Sequence, residues 1–308
     1  MSYSLGNIYL WLMHKYYQRQ SQYTHTGKIA LCCIGKMENE YILEYVKYYK
    51  SLNFDKIFIY DNNDVDGERF EEVIQGYVDD GFVCIVDFRG RKMCQCDAYQ
   101  DCYDQHNKEY DWIAFFDCDE FLTFADGIQD VHEFMRQKKF SPYQLMHINW
   151  MVYGDNDMLD NDGRGIVERF KEPIMPLDFK ANMSFPENNH VKSLIRGGLS
   201  DIHWNSGYGA SHTPLSRYYL CCNARGENVE ANAPHHVFDH SVAFLRHYST
   251  KTIGEWVRNK MKRGYPDQTE ERMMITLSLD YFYRMNKRNE IKEKYANRLI
   301  QNEICVYQ

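Results

Sequence analysis

Four short apolar runs, each stopping abruptly at polar residues, dominate residues 29–117: "IALCCI", "IFIY", "FVCIVDF" and "WIAFFD". The segments between them have helical spacing, seen best where Tyr41, Ile42, Tyr45, Val46 and Tyr49 fall on one face of a helix. Runs this short and this uniformly apolar are strands buried on both faces. Alternating with helices, they predict an α/β protein with a parallel sheet covered on both sides. Gly81 stands where the helix before the third strand needs a residue in the left-handed region. Such sheets bind ligands beyond the carboxyl ends of their strands.

The conspicuous polar residues gather at those ends: Lys36 and Glu38, Asp61 to Asn63, Asp87 and Arg89, and the run Asp117-Cys118-Asp119-Glu120. An acid after a buried strand can cap the next helix, sit solvated in a loop, or meet a ligand. In an extended segment, alternate side chains share a face, so Asp117 and Asp119 point together while Cys118 turns inward. Two hard oxygen donors there suit Mg2+ or Mn2+, which can bridge the oxygens of a diphosphate.

A second cluster, "FLRHYSTKTIGEWVRNKMKRG", puts His247 at the end of an apolar strand, followed by Lys251, Arg258, Lys262 and Arg263. These residues suit a third metal ligand and a phosphate-binding group, and equally a buried His and a solvated basic helix face. Asp61, Asn62 and Asn63 can accept hydrogen bonds from a nucleoside, but the same residues also build tight turns.

The 308-residue chain is 44% apolar and carries a formal charge of -8, which fits a globular protein and excludes a general nucleic-acid binder. An anionic ligand must therefore be met by local positive charge. The ten Cys include no paired C-x-x-C, and several lie inside apolar runs, as expected of reduced buried thiols in a cytoplasmic protein. The stretch "LGNIYLWLMHKYYQRQ" is too short and interrupted to span a membrane. It reads as an amphipathic helix that packs on its own domain or touches a membrane surface.

Beyond Asp126, a short helix "IQDVHEFMRQKK" and a strand "YQLMHINWMVYG" precede a loop over residues 155–165. "HVKSLIRGG", "DIHWNSGYG" and "SVAFLRHYS" read as strands and turns, and the chain is helical from Thr252. The expected organisation is an N-terminal helical segment over 1–27, a catalytic domain over 28–250 and a helical C-terminal extension over 251–308.

Taken together, "KMENEYILEYVKYYKSLNFDKIFIYDNND", "AYQDCYDQHNKEYDWIAFFDCDEFL", "NWMVYGDN", "IVERF", "KSLIR" and "RHYSTKTIGEWVRNKMKRG" resemble the GT-A glycosyltransferases of the family 92 and family 2-like type, formerly a domain of unknown function. The resemblance covers about Lys28 to Gly264. It implies a GT-A fold, a Rossmann-like, mostly parallel sheet flanked by helices, and transfer of a sugar from a nucleotide-diphosphate donor with Mn2+ or Mg2+. On that pattern Asp117 and Asp119 match the metal and donor motif, His247 the late His beside the diphosphate, Asp61 the nucleoside-binding acid, and Glu120 the acid that orients the donor.

The loop after Trp150 departs from the family's F-G-S-x-G: here it reads "YGDNDMLDNDG", with extra acids where an acceptor would be met. The expected reaction is an inverting attack by a hydroxyl of a glycan or lipid-linked glycan. The donor would be held by Lys36, Glu38, Asp61, Asn62, Arg89, Asp117, Glu120, Lys251, Lys262 and Arg263. Glu168 and Asp155 are the candidate bases. Trp150 and Trp204 can stack on acceptor sugars or serve as buried aromatics. A cytoplasmic enzyme of surface-polysaccharide synthesis, with peripheral contact at the inner face of the membrane, is the matching setting. A metal-dependent phosphoester hydrolase and a noncatalytic nucleotide- or carbohydrate-binding module are the alternatives.

Overall fold

The computed structural model describes residues 26–174, 186–204, 212–215, 219–231 and 239–306. The expected N-terminal helix therefore lies outside the described residues up to residue 25, as does most of "DIHWNSGYG" beyond Trp204. All four apolar runs form strands: β1 (Ile29–Gly35), β2 (Lys56–Asp61), β3 (Val83–Asp87) and β4 (Trp112–Phe115). They lie in the order β3-β2-β1-β4, all parallel. Helices α1 (Asn39–Ser51), α2 (Glu71–Asp79) and α3 (Gln95–His106) connect them.

Both faces are covered. Leu31 and Cys33 of β1 pack with Tyr45 and Tyr49 of α1, while the alternate Ala30, Cys32 and Ile34 pack with Tyr99 and Tyr103 of α3. The five α1 residues with helical spacing, Tyr41, Ile42, Tyr45, Val46 and Tyr49, are the ones buried. Gly81 has φ +78°, as its place at the helix end required.

Past β4 the sheet becomes mixed. β5 (Glu120–Phe124) and α4 (Val131–Met135) come next, followed by β6 (Leu145–Val152), α5 (Ile166–Arg169) and β7 (Val191–Arg196). The strands β8 (Cys221–Asn223), β9 (Asn228–Val229) and β10 (Ala243–His247) complete it. β7 pairs antiparallel with both β4 and β6, β10 runs parallel to β6, and β5 runs antiparallel to β10. Glu120, Phe121 and Leu122, directly after the acidic pair, open β5. That strand places Glu120 opposite His247.

The C-terminal part starts with α6 (Ile253–Glu255), continued by a π-helical turn, Trp256–Lys260, and by α7 (Met261–Arg263). Three more helices follow, α8 (Glu270–Thr276), α9 (Leu279–Met285) and α10 (Glu290–Val306). Among the described residues no helix is long and apolar enough to cross a membrane.

One buried knot fixes where this part begins. Arg169 forks onto Glu255 at 2.9 and 2.8 Å, and the Tyr41 hydroxyl donates to the same carboxylate at 2.8 Å. Thr252 and Glu255 complete a capping box at the start of α6. Arg169 and Glu255 are both almost wholly buried, so removing Arg169 leaves the Glu255 carboxylate buried without its paired cation. Arg169→Ala should lower the free energy of unfolding by about 3–5 kcal/mol in chemical denaturation.

Candidate active site

A cavity of about 700 Å³ opens at the carboxyl ends of β1, β2 and β4 and is closed on its far side by residues 260–276. Its floor is the acidic turn after β4, and the path of that turn is set by α1. The hydroxyls of Tyr45, Tyr48 and Tyr49 donate to the carbonyls of Phe116, Leu122 and Glu120 at 3.3, 2.7 and 2.8 Å. Cys118 is turned inward against Gly35, where an added Cβ would come within 2.9 Å of Phe70 and 3.1 Å of the Cys118 Sγ. Only glycine lets β1 approach the turn this closely.

Asp117 and Asp119 both line the cavity, and each is held by its own lysine. Lys192 Nζ lies 2.8 Å from Asp117 Oδ2, while Tyr99 and Gln95 donate to Oδ1 at 2.7 and 3.0 Å. Lys260 Nζ lies 3.1 Å from Asp119 Oδ2, with Arg263 at 3.8 Å and His247 Nε2 3.6 Å from Oδ1. Burial pushes the Asp119 carboxyl up, but Lys260, His247 and Lys251 together outweigh it and hold the group well below the usual range.

Glu120, fully buried beneath, accepts the Asp117 N–H at 2.9 Å. Burial, then the charges of Asp117 and Asp119, raise its pKa well above the usual value despite Lys192. Glu38 pairs with Arg263 and lies 4.0 Å from Lys251, whose ammonium sits over the Tyr41 ring.

The expected donor residues divide. Lys36, Glu38, Asn62 and Arg263 line the cavity. Asp61 and Arg89 do not: they pair at 2.7 Å, and Arg89 also clamps the carbonyls of Asp64, Gly67 and Glu68, which makes them a brace for the loop after β2. Lys251 lies buried behind the floor, and Lys262 is outside the lining. Arg258 is spent on Asp160. Trp150 lines the cavity, whereas Trp204 is packed against Phe115 and Tyr99 on the α3 side of the sheet. Neither candidate base reaches it: Glu168 is exposed beside Arg164, and Asp155 is buried against Lys292 at 2.6 Å.

Sequence reading missed Lys192, Lys260, Gln95, Tyr99, Glu187, His190 and His212. Lys192 left a signal, because a charge inside the apolar run "HVKSLIR" has to find a buried partner. Lys260 left none, because a π-helical turn shifts which residues face inward and its position within "RNKMKRG" gives no hint of that shift.

Among the described residues no group of three or more His, Cys, Asp or Glu side chains converges as a metal cage. The donors nevertheless fit Mn2+ or Mg2+ as a two-ligand set. Asp119 Oδ1 and His247 Nε2 face each other beyond hydrogen-bond length on the cavity wall, and such ions take their remaining positions from phosphate oxygens and water. Asp117, with both oxygens engaged, stands outside that pair.

The chain belongs to glycosyltransferase family 92, whose model matches residues 28–277. No curated protein matches it in sequence. Among solved structures it is similar to S. aureus TarS 1-349 in complex with UDP, at 12% identity and a TM-score of 0.34, over 55% of this chain and 46% of that one. It is also similar to TarS 1-349 in complex with UDP-GlcNAc, at 10% identity and a TM-score of 0.41, over 87% and 78%. A third similarity is to the mannosyltransferase PcManGT from Pyrobaculum calidifontis in complex with GDP-Man and Mn2+, at 6% identity and a TM-score of 0.29, over 46% and 42%. The chain thus spans less than half of the first and third of these.

His190, on the same wall, has its pKa lowered to about 4 by burial, then by the charges of His247 and Lys192. The folded protein prefers it neutral, so below its unfolded pKa the unfolded chain binds more protons and stability falls with pH. His190→Gln should remove roughly 1–2 kcal/mol of the stability lost between about pH 7 and about pH 5, read from urea unfolding at both.

Proposed function

We propose that this chain is a nucleotide-sugar-dependent glycosyltransferase that moves a sugar to a hydroxyl of a glycan or lipid-linked glycan, with inversion. The observation that carries this reading is the balanced floor of the cavity: acids and cations held together where a diphosphate would lie, in a chain of this family. Residues 28–250 serve as the catalytic domain, and the helical extension from 251 closes it.

The nucleoside end lies toward Lys36 and Asn62, with Asp61 acting on it by bracing the strand end on which Asn62 stands. Lys260, Arg263 and Arg91 face the diphosphate and stabilise the charge that builds on it as the sugar leaves. Asp119 and His247 would hold Mn2+ or Mg2+, which when bound supplies further positive charge to the diphosphate oxygens. Asp117 keeps Lys192 in place, and Glu120 holds the turn by its bond to the Asp117 N–H. Burial excludes water from this floor and strengthens each of these interactions.

Asp119→Ala should cut turnover of UDP- and GDP-sugars by about 10²–10³-fold and abolish its stimulation by Mn2+ without unfolding the protein. A coupled assay for released nucleoside diphosphate, with and without excess chelator, reads this. Full turnover in the variant, or in the chelated wild type, would sink the metal role.

A further inference from the structure

Six carboxylates line the cavity: Glu38, Asp117, Asp119, Glu187, Asp267 and Glu270. Glu38, Asp117 and Asp119 are each bound by a buried cation that neutralises them toward a hydroxyl proton. Glu270 is exposed on the rim beside Lys92. Asp267 lies in the field of Lys192. Glu187 differs from all of these: it is largely buried, and its one partner among the described residues is Arg284, whose guanidinium reaches Oε1 at 3.1 Å and leaves Oε2 free.

The backbone beneath Glu187 is tied to the sheet. It stands on a single 3-10 turn, Pro186–Asn189, that is sewn to β6: Asn188 Oδ1 accepts the Val152 N–H at 3.0 Å, and the His190 carbonyl accepts the Trp150 N–H at 3.0 Å. A group whose neighbours in the chain are hydrogen-bonded to a central strand is held in place for a ligand.

Beside it, the Trp150 indole is surrounded by three imidazoles, with ring centres 4.0 Å from His247, 5.0 Å from His212 and 5.1 Å from His190. Trp150 Nε1, His190 Nδ1 and His247 Nδ1 are buried and have no partner among the described residues. These four rings give the cavity wall a flat apolar surface edged by hydrogen-bonding groups, which suits a ligand that offers both hydroxyls and an apolar face. A pyranose ring does. The sheet order places β1 and β2, the nucleoside side, across Asp119 from β6, so a sugar against Trp150 lies at the far end of the donor, where the two sugars meet.

Building on the glycosyltransferase reading, we propose that Glu187 is the general base for the acceptor hydroxyl and that Trp150, His190 and His212 form the wall that seats the acceptor sugar. The hydroxyl oxygen forms a bond to the anomeric carbon as the bond from that carbon to the diphosphate oxygen breaks. The electron pair of the broken bond stays on the diphosphate, and the hydroxyl proton passes to Glu187 Oε2. Atoms and charge balance with no further reactant.

The full-length chain is assayed with Mn2+ against UDP-glucose, UDP-galactose, UDP-N-acetylglucosamine and GDP-mannose, with methyl glycosides as acceptors. Glu187→Gln should lower kcat/KM for transfer by about 10²–10⁴-fold, while Glu187→Asp recovers part of the rate. Calorimetric affinity for the nucleoside diphosphate should stay within about twofold, which also shows that the variant is folded. Transfer by Glu187→Gln within about threefold of wild type overturns the assignment, as does an equal loss of diphosphate affinity or a loss confined to Asp267→Asn. Wild-type protein that turns over no donor in the panel overturns the transferase reading itself, and the base with it.

Discussion

The site rests on matched burial of opposite charges at one end of the sheet. Glu38, Asp119 and Glu120 are almost wholly buried and Asp117 partly so, and a lone carboxylate in such a place costs several kcal/mol. Their cations, Lys192, Lys251, Lys260 and Arg263, all come from later in the chain. Neither half can keep these charges out of water without the other, so docking the C-terminal helices and assembling the floor are one event. Glu120 is the exception that tunes the cluster. Burial raises its pKa while Lys260 and His247 lower that of Asp119, so Glu120 takes up a proton before Asp119 loses its charge.

Much of the fold was legible because it depends on local pattern. The four parallel strands, the buried face of α1 and the left-handed Gly81 all follow from spacing over a few residues. The ligand-binding edge was legible too, since the parallel order alone determines which strand ends face the ligand. What could not be read was long-range pairing. Nothing local marks β5 as the antiparallel partner of β10, although that pairing is what sets His247 opposite Glu120. Asp61 and Arg89 show how long-range pairing also hides the partners of polar residues: types suited to a nucleoside engage each other and a loop backbone.

The aromatic richness of the chain has a positional meaning here. A turn leaving a buried strand exposes carbonyls to an apolar interior, where each needs a donor. Tyr45, Tyr48 and Tyr49 supply those donors from one helix while their rings fill the core beside Phe121. Tyr41, one turn earlier, bonds Glu255 and so ties the same helix to the start of the segment that carries Lys260. A single helix thereby positions the acids from one side and their cations from the other.

The extra acids after Trp150 looked like contacts for an acceptor, and the structure accounts for them differently. Asp155 and Asp157 share Lys292 at 2.6 and 3.0 Å, and Asp160 binds both Arg258 and the Tyr295 hydroxyl. Each partner lies in the C-terminal helices, so the loop is a latch that secures the extension closing the cavity. On the proposed reading, acceptor discrimination falls to the remaining cavity wall, where β6 presents Trp150 and its histidines.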